Sequence, residues 1–312
     1  MRLRHGAAFL LILVVLLSCS APAGPPDVAP ALVTPSPAAS PSPSPVPPPL
    51  EFNAATAMEH IRHLSVDIGK RPAGSPGEEA AAAYIEEVFR AAKLEVTRQA
   101  FQRADGGTSY NLIGRIAGAD YSAGYLLIGG HYDTFGESPG GNDNGSGTAV
   151  VMALAELFGM QGAEFDSRKV AIEFVGFAAE EVNPSSGKHH EGSLAYAAGM
   201  SDPPLVQAML SIDMVGNGPD LKLVGWRERA SPIPQEMAVI AAEIGVTHEV
   251  LVRGDISDHT SFLRKGVASA VLWSGNHPTI HKASDTFEVV EIESVERTGR
   301  LTLEWLRRRT GL

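Results

Sequence analysis

The stretch Val170-Ala-Ile-Glu-Phe-Val-Gly-Phe-Ala-Ala-Glu180-Glu181 is almost wholly apolar until it ends in two adjacent carboxylates. Its length and its content of Val, Ile and Phe make it an interior strand. Paired acids at the end of a buried strand are unfavourable unless a metal ion or a shared proton compensates them. Solvated turn acids are the competing reading. The chemistry that needs such a pair divides the roles. One carboxylate binds a metal ion, and the other takes a proton from metal-bound water and later gives it to a leaving group.

Outward from this strand the chain alternates short β-rich runs with helical stretches. Asn111 to Ile116, Tyr125 to Gly129, Leu205 to Asp213 and Ala268 to Trp273 read as further strands. Glu78 to Ala92, Ser146 to Phe158, Pro234 to Ile244 and Ser294 to Arg308 read as helices. Alternation of this kind implies an α/β sandwich with a largely parallel central sheet, in which ligands collect at the carboxyl ends of the strands.

Several polar residues fall at those ends. In Tyr125-Leu-Leu-Ile-Gly-Gly-His131-Tyr132-Asp133 the two-residue strand period puts His131 and Asp133 on one face, where an aspartate can orient a metal-binding imidazole. Taken alone, this triplet is better read as a surface histidine beside a turn aspartate. Gly140-Gly-Asn142-Asp143-Asn144-Gly-Ser146-Gly147 sets Asp143 on a glycine-rich turn that can present a carboxylate into a cleft, and by itself it is also an ordinary helix N-cap. Met209-Leu-Ser-Ile-Asp213 ends a strand in one aspartate, and Pro278-Thr-Ile-His281-Lys-Ala-Ser-Asp285-Thr286 sets a histidine in the loop after Trp273. Each feature alone is more simply structural. Five ligand-type residues at the strand ends of one domain are not easily explained separately.

Taken in order, the motifs HxD, NDNGSG, AAEE, IDMVG and IHKASDT resemble the di-zinc exopeptidases, a family that includes bacterial secreted aminopeptidases, glutamate carboxypeptidase-type enzymes and glutaminyl cyclases. The resemblance runs from Asn53 onward and includes Arg71-Pro-Ala-Gly-Ser75. It implies a three-layer α/β/α sandwich with a mixed central sheet, zinc as cofactor with two ions per chain, and removal of N-terminal residues from peptide substrates through a zinc-bound hydroxide. By the same resemblance Asp143 bridges the two ions, Glu181 and His281 complete one site, and His131 and Asp213 complete the other. Glu180 matches the general base, and Asp133 matches the residue that orients His131. Ser257-Asp258-His259 matches a family motif near the substrate cleft, and reads equally well as an N-cap to a helix containing Phe262 and Leu263.

The chain departs from the family where a short turn usually follows the Glu-Glu pair. Here Val182 to Glu191 is a longer loop with Pro184, Gly187, His189 and His190, read as a flexible polar segment of the cleft wall. Glu181 and Asp213 stand 32 positions apart and Asp213 and His281 stand 68 apart, which leaves no room for an inserted lid domain. Other activities remain open within the resemblance. Cyclisation of N-terminal glutamine is one, in a branch that works with one zinc. A carboxypeptidase is another, with Arg227, Arg229 or Arg253 clamping the substrate carboxylate. A non-catalytic receptor-like relative is a third, less suited to a chain that retains the base and every ligand.

The N-terminus suggests where the domain works. Arg2, Arg4 and His5 precede an apolar run from Ala7 to Leu17, which has the length of a signal-peptide core and is short for a bilayer span. The run ends in Leu16-Leu17-Ser18-Cys19, which resembles the lipobox of bacterial lipoproteins, and Cys19 is the only cysteine. Residues 1–19 are therefore expected to be a lipoprotein signal ending at a lipidated Cys19 that enters the lipid bilayer. Residues 20–49 are expected to be a tether, since Ala21 to Pro49 holds 12 of the 22 prolines and cannot bury a core. The catalytic domain is expected over 50–312, anchored outside the cytoplasm and acting as a monomer. The formal charge of -11 becomes -13 once Arg2 and Arg4 leave with the signal, 23 basic against 36 acidic residues, which makes nucleic acid a poor partner.

Overall fold

The computed structural model describes residue 24 and residues 50–160, 171–201 and 204–312. The signal segment with Cys19, almost all of the tether, and Val170 lie outside the described residues. Residues from Pro49 to Leu312 make up one compact unit.

The apolar runs form an eight-stranded sheet. In chain order its strands are β1 (Leu94–Gln102), β2 (Thr108–Ile116), β3 (Tyr125–His131), β4 (Ala171–Phe177), β5 (Val206–Ile212), β6 (Leu221–Trp226), β7 (His248–Arg253) and β8 (Ala268–Trp273). Across the sheet they lie in the order β1-β2-β4-β3-β5-β8-β6-β7. The four central strands β4, β3, β5 and β8 are parallel, with antiparallel neighbours β2 and β6 on the two sides. All their carboxyl ends therefore open on the same edge.

Side-chain alternation along these strands splits the core in two. Leu126, Ile128, Ile172, Phe174, Leu210 and Leu272 face one layer, and Leu127, Val175, Phe177 and Met209 face the other. The first layer is built from α1 (Ala54–Arg62), α2 (Pro76–Ala91), α3 (Gly145–Gly159), α5 (Ile233–Glu243) and α7 (Ile292–Thr310). On the opposite face lie the short helices α4 (Glu191–Ala198) and α6 (His259–Arg264), packed on each other through Tyr196 and Phe262. The result is the expected three-layer α/β/α sandwich on a mixed sheet. Strands β3 and β4 are buried along their whole length, as strands covered on both faces must be.

Each of the five strands and four helices expected from the sequence is present within a few residues. The structure adds β1, β6, β7, α1 and α4. No helix among the described residues is long and apolar enough to cross a membrane.

Candidate metal centre

Four parallel strands deliver the polar residues to one edge. His131 is the last residue of β3, and Thr148 at the start of α3 donates its hydroxyl to the His131 carbonyl at 2.6 Å. Two residues on, the Asp133 carboxylate closes the end of the neighbouring strand. It accepts the Glu180 N–H on Oδ1 at 3.0 Å and the Glu181 N–H on Oδ2 at 3.1 Å. The same Oδ1 lies 3.5 Å from His131 Nδ1, so Asp133 faces the imidazole from that side and leaves Nε2 to face the cluster.

The Asp143 turn is welded to the segment that carries Asp213. Asn142 Oδ1 accepts the Gly216 N–H at 2.8 Å, Asn144 donates to the Ile212 carbonyl at 2.9 Å and accepts the Met214 N–H at 3.1 Å, and Ser146 Oγ accepts the Val215 N–H at 2.9 Å. Asn144 also caps α3 by accepting the Gly147 N–H at 2.9 Å. Both readings of this motif hold together: the asparagines and serine perform turn and cap chemistry, and Asp143 alone points into the site. Gly147 is required at the junction, because a Cβ there would lie 2.1 Å from the Ile212 carbonyl oxygen.

The loop after β8 is tied to the same turn through Asp285, whose carboxylate accepts the N–H groups of Asn142 at 3.1 Å and Asp143 at 2.9 Å. His281, on this loop, stacks on Phe135 with ring centroids 4.6 Å apart. Beneath both loops the fully buried Arg71 guanidinium donates to five carbonyl oxygens, those of Leu64, Gly69, Tyr132, Pro139 and Gly140.

These connections converge on one arrangement. Asp143 Oδ1 lies 3.5 Å from His131 Nε2, and Asp143 Oδ2 lies 3.3 Å from His281 Nε2. His131 Nε2 is also 3.4 Å from Asp213 Oδ1, and His281 Nε2 is 3.2 Å from Glu181 Oε2. His131, Asp143 and Asp213 form one triad with ligand atoms within 4.8 Å of one another, and Asp143, Glu181 and His281 form a second. Glu180 lies beside them, with Oε2 3.8 Å from His131 Nε2. All seven residues singled out in the sequence are therefore brought together.

The donor set suits metal ions that take imidazole and carboxylate ligands, zinc among them. Glu181 Oε1 and Asp213 Oδ1 are buried without a hydrogen-bond partner, as expected of atoms kept for a cation. The electrostatics agree. Burial pushes the Asp143 carboxyl up, but hydrogen bonds from the two imidazoles overcome it and hold it at about 2. Burial and the Asp143 charge raise Glu181 to about 8, and burial also raises Asp213 against the pull of His131. Hydrogen bonds to Asp143 and Glu181 raise His281 to about 10. The site thus holds more carboxylate than its imidazoles can balance, a surplus that divalent cations would neutralise.

The cluster lines a cavity of about 290 Å³ together with Val182, His189, His190, Met214, Asp255, Ile256 and Ile280. A second cavity shares Glu181 and Val182 and continues past Phe135, Pro72 and Pro184. Neither is lined by lysine or arginine, so Arg227, Arg229 and Arg253 do not reach the site. The Val182 to Glu191 loop does form cleft wall, but His190 corrects the reading of it as a flexible polar segment. His190 is 3% exposed, and its Nε2 lies 2.7 Å from Glu180 Oε1. The only sequence signal for this was a histidine beside a loop of unusual length. Asp255 gave no signal at all.

Comparison with known proteins follows the same outline. Leupeptin-inactivating enzyme 1 of Streptomyces exfoliatus is 30% identical over 232 residues, covering 73% of this chain and 50% of that protein, so the chain spans half the length of this relative. A solved zinc aminopeptidase from Bacillus subtilis superposes with a TM-score of 0.72 at 19% identity, over 84% of this chain and 96% of that one. A glutaminyl cyclase from Bacteroides thetaiotaomicron does so with a TM-score of 0.69 at 21% identity, over 81% and 97%. At those identities the two structures show a shared fold. The profile of Peptidase family M28 matches residues 111–306, a segment that carries both donor triads, Asp133 and Glu180, and the chain belongs to that family.

Proposed function

We propose that this chain is a zinc-dependent aminopeptidase that hydrolyses residues from the free N-terminus of peptides. The observation that carries the reading is the division of Asp143, whose two oxygens each face a different imidazole, so that two donor triads share one carboxylate. His131, Asp143 and Asp213 would hold one zinc ion, and Asp143, Glu181 and His281 the other. Such a pair, when bound, supplies Lewis acidity at the scissile carbonyl and lowers the pKa of the attacking water.

The chain's own groups do the rest. Glu180 takes the proton from the attacking water on Oε2 and returns it to the departing amine. Asp133 fixes the backbone of Glu180 and Glu181 and faces His131 Nδ1, which sets both the base and the ligand. No lysine or arginine lines the cavity, so no ammonium or guanidinium group is there to clamp a free substrate carboxylate, which supports removal of residues from the N-terminus over the C-terminus. The proposal extends to location: the lipobox-like Cys19 and the proline-rich tether would hold the domain on the outer side of a membrane.

The test is a panel of aminoacyl and N-blocked peptides assayed with defined zinc loading. Cleavage of free N-termini is expected, abolished by chelation and restored by zinc, with Glu180→Gln losing turnover while keeping its zinc. Cleavage confined to N-blocked peptides with a free carboxylate would reverse the assignment. One zinc per chain with release of ammonia from N-terminal glutamine would move it to cyclisation.

A further inference from the structure

The loop that follows Glu181 returns to the strand end it left. His190 N–H donates to the Glu180 carbonyl at 2.8 Å, Glu191 N–H to Ala179 at 2.9 Å and Gly192 N–H to Ala178 at 3.1 Å. At the closing point His190 adopts φ 56° and ψ 28°, a left-handed conformation that glycine would take more readily. Retained strain of this kind points from backbone to function. Of the five non-glycine residues with positive φ among those described, Ala179, His190, Met214 and His281 all lie at this site.

The His190 ring is buried between two carboxylates. Its Nε2 lies 2.7 Å from Glu180 Oε1 and its Nδ1 lies 3.3 Å from Asp255 Oδ1. Asp255 is itself held by the Thr260 hydroxyl and by Arg264 Nη2 at 2.5 Å. The two oxygens of Glu180 are thus divided: Oε1 is taken by His190, and Oε2 faces the cluster, 3.8 Å from His131 Nε2. A glutamate held by only one oxygen can still turn about its last bond. A buried ring with the Asp255 carboxylate 3.3 Å from its far nitrogen restricts that freedom.

His189, His190 and Asp255 also fall within ligand distance of one another. A third metal site is the poorer account of them, because Glu180 already occupies His190 Nε2, and Thr260 and Arg264 occupy Asp255.

We propose that His190 is a positioning residue: it holds Oε1 of Glu180 so that Oε2 is aimed at the attacking water, and Asp255 fixes His190 in turn. This rests on the reading of Glu180 as the general base. The experiment measures kcat, KM, zinc content and thermal midpoint of the zinc-loaded full chain as wild type, His190→Ala, His190→Gln, Asp255→Asn and the Asp255→Asn/His190→Ala double variant, with Glu180→Gln as control. His190→Ala is expected to lower kcat roughly 10- to 100-fold, with KM within about twofold and zinc content unchanged. His190→Gln, whose amide can donate to Oε1, recovers much of the loss. Asp255→Asn lowers kcat in the same direction, and the double variant is no worse than His190→Ala alone. Full kcat in His190→Ala, loss of zinc in any of these variants, or additive losses in the double variant would overturn the assignment. If His190→Ala fails to fold, His190→Gln and Asp255→Asn decide it: near wild-type kcat in Asp255→Asn sinks the proposal. Full activity of Glu180→Gln sinks the base reading and this inference with it, whereas an inactive Glu180→Gln beside a fully active His190→Ala sinks this inference alone.

Discussion

Asp133 and Asp285 play matching parts on two sides of the candidate metal centre. Each carboxylate accepts two consecutive backbone N–H groups, from Glu180 and Glu181 in one case and from Asn142 and Asp143 in the other. The side chains that face the cluster are thus aimed by their own backbone. In Asp133→Asn the amide group cannot accept both N–H groups, and one buried donor loses its partner. A stability loss of about 1–3 kcal/mol is expected from that orphaned donor. Displacement of Glu180 should also lower kcat by about 10- to 100-fold. Urea midpoints and steady-state kinetics measure the two effects separately.

Arg71 joins loops that are far apart in the chain, with carbonyl partners from Leu64 to Gly140. A lysine ammonium has three donors where the guanidinium spans five carbonyl oxygens, so at least two would be left unpaired. Arg71→Lys is expected to lose about 2–4 kcal/mol of stability. It should also bind zinc more weakly, because the turn carrying Asp143 loosens. A variant with wild-type denaturation and wild-type zinc affinity would mean that the clasp is dispensable.

Gly147 sits where α3 presses on the end of β5. An alanine Cβ would fall 2.1 Å from the Ile212 carbonyl oxygen and 2.4 Å from Asn144 Oδ1, neither of which can retreat without moving Asp213. Gly147→Ala is therefore expected to cost about 1–3 kcal/mol despite its better helix propensity. A gain in thermal midpoint would contradict the close approach.

Glu78 supplies a pH dependence away from the candidate metal ligands. Burial, with the Asp133 charge behind it, raises its carboxyl to about 7, against hydrogen bonds from Gly74 and Ser109. Its folded-state pKa lies above the unfolded one, so its contribution is fully present below pH about 4.5 and is lost as pH rises through about 7. Glu78→Gln keeps the acceptor and removes the titration. The difference in unfolding free energy between variant and wild type should therefore shift in favour of the variant by an amount on the order of 1–3 kcal/mol between pH 5 and 8. A pH-independent difference would refute the raised value.

The central strands were legible because burial on both faces leaves a continuous apolar run. Edge strand β7, exposed along most of His248–Arg253, has no core face to impose a pattern and could not be read. Site residues were legible where a polar group broke an apolar strand end, as at His131, Glu180 and Asp213. Which of them face each other was not, since the pairing of Asp143 with two histidines rested on the family resemblance. His190 was hidden for a different reason. Its neighbours Ser185, Ser186, Gly187 and Lys188 describe a solvated loop, and only the return of that loop to Ala178 and Glu180 makes its end a buried wall. Arg71 stood in a quoted motif, but a clasp on five distant carbonyls is a property of the folded chain.

The central claim is that Asp143 is shared between two metal ions. Anomalous diffraction at the zinc edge from crystals of the zinc-loaded protein tests it most directly. Two peaks are expected, one on the His131–Asp213 side of Asp143 and one on the Glu181–His281 side, roughly 3.5–4 Å apart. A single peak at full zinc loading, or a pair that does not flank Asp143, would contradict the account.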